Sequence, residues 1–163
     1  MKKNVMFMLL TLVALNLTAR TPAGGPDPGP AVFSKGVSVE ISPLIEAKFK
    51  KEYGPIVNVS WRVVEDISIA TFSDQGSEKN VFYYNDGETF GFGKAVDIKA
   101  LPKLVDESLT RKFKKATIGQ AYEFKTTGSP TRYYVRMIAS GYSVIASATE
   151  FGDITVYEKQ KNK

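Results

Sequence analysis

The sequence predicts an α+β protein built from two tandem units, each one helix packed on an antiparallel four-stranded sheet. Three observations point there. Helix-opening signals occur twice, at Ser42-Pro43 and at Leu101-Pro102. Each is followed by short alternating apolar runs separated by Gly, Asn and Asp. The two halves also register against each other: "FKK" at 49–51 recurs at 113–115, and Gly54, Gly76 and Gly87 recur 65 residues later as Gly119, Gly141 and Gly152.

The elements follow in order. Lys2 and Lys3 precede an apolar stretch at 5–17, which reads as an export signal over residues 1–19 with cleavage after Ala19, or alternatively after Ala23. The stretch is shorter than the roughly 18 to 20 residues that span a bilayer. A retained N-terminal anchor is the alternative reading. Residues 20–36 hold four of the eight prolines and four of the thirteen glycines, the composition of a flexible leader.

The first unit is expected over 37–98. Pro43 opens its helix, Ile45, Phe49 and Tyr53 form an apolar stripe, and Gly54-Pro55 ends it. Val57, Val59, Trp61 and Val63 then alternate as the core face of a strand beneath that helix. Further strands are expected at 67–73, 79–85 and 88–94. The second unit, 99–163, repeats the order: Leu101, Leu104, Val105, Leu109 and Phe113 stripe a helix, and strands follow at 118–125, 131–139, 142–149 and 153–159. In this unit Tyr133, Val135 and Met137 take the role of the Trp61 set.

Composition removes several chemistries. The chain has no cysteine and no histidine, so disulfides, thiol nucleophiles, imidazole bases and Cys/His metal sites are out. The formal charge of +5 falls to +3 once Lys2 and Lys3 leave, and the charges are interspersed, which is no footprint for nucleic acid. "GFGKA" at 91–95 fails as a phosphate loop because Ala95 follows the lysine. Asp86, in "YYNDGETFG", sits where a hairpin must turn, and the loop lacks the spaced acids that calcium needs. The adjacent acid pairs Glu65-Asp66 and Asp106-Glu107 diverge in direction. No catalytic residue, cofactor or metal ligand is therefore assigned.

The residues that alternate with the core sets remain. Asn58, Ser60 and Arg62 do so in the first unit, and Arg132, Tyr134 and Arg136 in the second, with Ser143, Ser147 and Thr149 extending the surface. Arg and Tyr favour binding surfaces, since they offer large contact area with directed hydrogen bonds. They also pair across the solvated face of an ordinary sheet. Both readings stand at this point. The binding reading selects Arg62, Arg132, Tyr134 and Arg136, with Tyr134 expected in solvent and both sheets open on one side.

The order helix, "Y-G-P", "V-x-V-x-W", "A-T-F", "V-F-Y-Y-N-D-G" and "L-P" over residues 42–158 resembles the PepSY-like, β-lactamase-inhibitor-like family of exported Bacteroidetes proteins. That resemblance implies a tandem helix–sheet fold and a non-enzymatic binding or inhibitory role. Two departures are visible: Gly54 separates Tyr53 from Pro55, and there is no cysteine where the inhibitor that lends its name carries disulfides. The resulting expectation is a periplasmic or secreted binding module without a stable membrane anchor, its partner an unidentified exported protein or peptide. The alternative is a periplasmic sensor of a small ligand or cation.

Overall fold

A computed structural model describes residues 27–161 except Val39 and Val57. The signal peptide expected over 1–19, the start of the leader, and Val57 lie outside the described residues. Two helices, α1 (Pro43–Tyr53) and α2 (Lys103–Lys112), accompany eight strands: β1 (Ser60–Val64), β2 (Ile67–Asp74), β3 (Ser77–Tyr83), β4 (Thr89–Val96), β5 (Thr117–Lys125), β6 (Arg132–Ala139), β7 (Tyr142–Thr149) and β8 (Ile154–Lys161).

The eight strands form one antiparallel sheet in sequence order, which corrects the expectation of two four-stranded units. The correction lies at the middle of the chain. After α2 the chain returns beside β4, and β5 pairs with it from Phe92↔Lys125 to Val96↔Ala121. Two separate sheets would have left unpaired backbone along facing edges, whereas this ladder satisfies it. The molecule is therefore a single sheet-dominated layer with helices on one side, not a pair of α+β units.

Both helices cover the same face. Ile45 and Phe49 of α1 pack on Ala70, Phe72, Val81 and Tyr83. Val105 and Leu109 of α2 pack on Ala121, Val135, Met137, Val144 and Ala146. Register places these positions together, since Ala70 faces Val81, Val81 faces Phe92, Phe92 faces Lys125, and Ala121 faces Val135. Trp61 joins the first cluster as the alternation predicts, with its ring 5.4 Å from that of Phe49.

The hairpins carry the expected turn chemistry. Gly87 has φ +77°, and Asp86 accepts the Glu88 N–H at 2.8 Å, so that carboxylate is spent on its own turn. Gly76 and Gly141 turn β2 into β3 and β6 into β7 at φ +78° and +87°. Gly119, by contrast, lies inside β5 and does not match Gly54, which ends α1.

Gly91 and Gly93 of β4 serve a different need. The Phe124 ring lies over Gly91 and the Tyr122 ring over Gly93, so a methyl group at either position would overlap a ring and a β5 carbonyl. Gly91→Ala is expected to destabilise the fold by about 1–3 kcal/mol, the usual cost of overpacking. A chemical-denaturation midpoint lowered at unchanged slope would bear this out, and an unchanged midpoint would contradict it.

Candidate functional site

The face opposite the helices carries the site. Alternation along each strand puts Arg62, Ile69, Phe82, Phe124, Tyr134 and Ser147 there, and the register connects them: Arg62 faces Ile69, Ile69 faces Phe82, and Tyr134 faces Ser147. Residues of β1 to β5 line one pocket of about 620 Å³ on this side. We call this side the concave face. Its floor is an aromatic cluster of Phe82, Phe90, Tyr122, Phe124 and Tyr134, whose rings meet edge to face at 5.3 Å for Phe82–Phe124 and 6.2 Å for Phe124–Tyr134.

Residues 27–36, expected to be flexible leader, instead lie across this face as a strap. Gly29–Phe33 forms a 3-10 turn with Pro at its start, and Val32 is buried in the aromatic cluster. Burying that valine contributes about 1.5 kcal/mol or more. Val37 then pairs with Val63 as an isolated antiparallel bridge. The composition argument for flexibility fails because the strap borrows its core from the sheet: one valine, one phenylalanine and one carboxylate meet prepared partners.

Asp27 is the anchor. Its carboxylate accepts hydrogen bonds from the hydroxyls of Tyr134 and Tyr157, the latter at 2.5 Å. Arg132 pairs with the same carboxylate at 3.2 Å, and the Gly29 N–H donates to it at 2.9 Å. Further along, the Arg136 guanidinium stands 5.1 Å from the Phe33 ring centre, and Arg62 donates to the Ser34 carbonyl.

The structure thus brings all four sequence-selected residues, Arg62, Arg132, Tyr134 and Arg136, to one face and to one segment. One expectation about them is corrected. Tyr134 is fully buried rather than solvent-facing, because the Phe124 and Tyr157 rings and the strap enclose it. A Tyr134→Ala change would therefore cost stability. Sequence reasoning missed Asp27, Phe33, Tyr122 and Tyr157. Only Asp27 left a signal, as the one acidic residue in 20–36.

Several tyrosine hydroxyls resist ionisation. Burial holds Tyr134 well above the ordinary tyrosine range, with the Asp27 carboxylate adding to the effect. Burial pushes Tyr122 up as well, opposed by the nearby Arg62 guanidinium, and pushes Tyr83 up to about 12. Tyr157 is raised by burial and then by Asp27.

The comparisons with known proteins bear on this arrangement. No family profile matches the sequence, and no curated protein matches it. Solved structures do. A BLIP-like protein from Bacteroides fragilis superposes with a TM-score of 0.60 at 18% identity, over 77% of this chain and 90% of that one. A DUF2874 family protein from Bacteroides uniformis gives 0.62 at 13%, over 75% and 90%. A protein of Bacteroides eggerthii assigned to the periplasm gives 0.62 at 13%, over 76% and 90%. At these identities the likeness is one of fold. It agrees with the β-lactamase-inhibitor-like side of the resemblance, and nothing here supports the PepSY-like side. Among the described residues no helix is long and apolar enough to cross a membrane, and no cluster of acidic side chains could hold a metal ion.

Two outcomes follow. Asp27→Ala removes the acceptor of a fully buried hydroxyl and is expected to cost about 1–3 kcal/mol, read as a lowered Tm. The raised tyrosines also set an alkaline limit. Their folded-state values exceed the unfolded 10.0, so the stability they contribute is complete below about pH 10 and is lost as pH rises through the folded values. Tyrosinate absorbance should accordingly lag behind model tyrosine and then rise together with loss of far-ultraviolet dichroism. Free titration of all eight tyrosines near 10 in the folded protein would contradict it.

Proposed function

We propose that the chain is an exported, non-enzymatic binding module whose concave face accepts an extended, acidic segment of an exported partner. Its own residues 27–34 hold that place until a partner displaces them. The observation that carries this reading is the reception of Asp27: two tyrosine hydroxyls and an arginine converge on a single carboxylate. Charge-assisted hydrogen bonds of this kind are about twice as strong as neutral ones and depend on direction. Arg136 and Arg62 then offer an aromatic-stacking cation and a carbonyl donor further along the same path, at Phe33 and Ser34. Such a row of contacts recognises a strand of backbone with an acidic residue at one end.

Export is supported by Lys2, Lys3 and the apolar run at 5–17, and by the periplasmic assignment of the Bacteroides eggerthii neighbour. Inhibition of an exported enzyme is the narrower version of the reading. It is supported by the shared fold of the BLIP-like Bacteroides fragilis protein.

The test supplies the segment in trans. A synthetic peptide of residues 27–36 is titrated into full-length Asp27→Ala protein and into the unaltered chain. Saturable binding to the variant, at least about tenfold weaker in the unaltered chain, is expected, because an intramolecular competitor occupies the unaltered face. Absence of binding to both would overturn the proposal. Hydrolysis by a β-lactamase, assayed with and without the Asp27→Ala protein, reads the narrower version. A slowed rate supports it, and an unchanged rate confines the function to binding.

A further inference from the structure

A pocket lies beside the strap on the concave face. Arg62 of β1, Thr71 of β2, Asn80 of β3 and Tyr122 of β5 line it, Phe33 of the strap forms one wall, and Glu78 and Asp97 stand exposed at its margin. Its volume, about 620 Å³, lies within the range of small-molecule sites.

Two donors in this pocket lack acceptors. Tyr122 is only 5% exposed, and although the Asn80 side chain lies beside its oxygen, its O–H finds no acceptor among the described residues. The buried Nε of Arg62 is also without one, and no described carboxylate pairs with that guanidinium, whose single hydrogen bond goes to the Ser34 carbonyl. The other arginines of this face, by contrast, meet Asp27 or an aromatic ring. Thr71 donates to the Asn80 side-chain oxygen at 2.6 Å, which turns the Asn80 amide nitrogen into that side chain's remaining donor. Unsatisfied buried donors oppose folding, and phenylalanine at 122 would fill the same space without that penalty. A lone guanidinium with neighbouring hydroxyl and amide donors matches a carboxylate. Glu78 and Asp97 disfavour a polyanion and suit an ammonium group.

We propose that this pocket binds a small zwitterion, a free amino acid or the end of a short peptide, with its carboxylate on Arg62, Tyr122 and Asn80 and its ammonium toward Glu78 and Asp97. The strap stays in place and serves as a wall, so this site and the displacement reading above succeed or fail separately.

The test uses the full chain and two probe mixtures, free L-amino acids in one and dipeptides in the other, followed by saturation-transfer NMR and titration of whichever component binds. Saturable binding is expected, and the mixture that gives it identifies the source. Amidation of the carboxylate should weaken it by about tenfold or more, the scale of a lost charge-assisted hydrogen bond. Tyr122→Phe should weaken it by a similar factor while leaving the ligand-free Tm unchanged or raised, a combination that a purely structural tyrosine would not give. Binding of neither mixture overturns the proposal. So does binding that survives equally in Tyr122→Phe and in Arg62→Gln.

Discussion

The ladder between β4 and β5 is the contact on which the rest of the molecule depends. It pairs Phe92 with Lys125 and Val96 with Ala121, and it is the only lateral join between what would otherwise be two four-stranded sheets among the described residues. The join is tight because β4 contributes Gly91 and Gly93, whose missing side chains let the Phe124 and Tyr122 rings approach its backbone closely. Those rings then reach Phe82 at 5.3 and 6.3 Å, tying β5 to β3 over the intervening strand. Without the join there would be no continuous concave face, and Arg62 of β1 would not lie near Tyr122 of β5.

That face treats two of its charges, Asp27 and Arg62, differently. The strap's carboxylate is fully met, by Tyr134, Tyr157, Arg132 and a backbone amide, so its partial burial is compensated. Arg62 is met only by a carbonyl, and the O–H of its neighbour Tyr122 finds no acceptor among the described residues. The first arrangement describes what the face can hold, and the second marks where capacity remains. Both belong to the side of the sheet that the helices leave uncovered.

Much of this was legible in the sequence, for local reasons. Pro43 and the Ile45–Phe49 stripe announced α1, alternation announced the strands, and Gly76, Gly87, Gly141 and Gly152 announced the turns. The same alternation put Arg62, Arg132, Tyr134 and Arg136 on the non-helical face. What the sequence did not reveal is non-local. Pairing of β4 with β5 is chosen across α2, and no turn signal encodes it. The burial of Tyr134 depends on Asp27, 107 residues away, and the strap looked unstructured because composition counts only what a segment can bury by itself. Tyr122 carried no signal in the sequence, since periodicity reports which face a residue occupies and not whether its hydroxyl finds an acceptor.

The continuity of the sheet is the central claim, and amide hydrogen exchange followed by NMR tests it most directly. Amides in the β4–β5 ladder, from Gly93 to Tyr122, should exchange with the same opening free energy as those of β2–β3 and β6–β7, because one cooperative unit opens as a whole. Exchange of the β4–β5 amides through a lower-energy local opening, while both flanking sets stay protected, would mean two separately stable halves and would contradict the account.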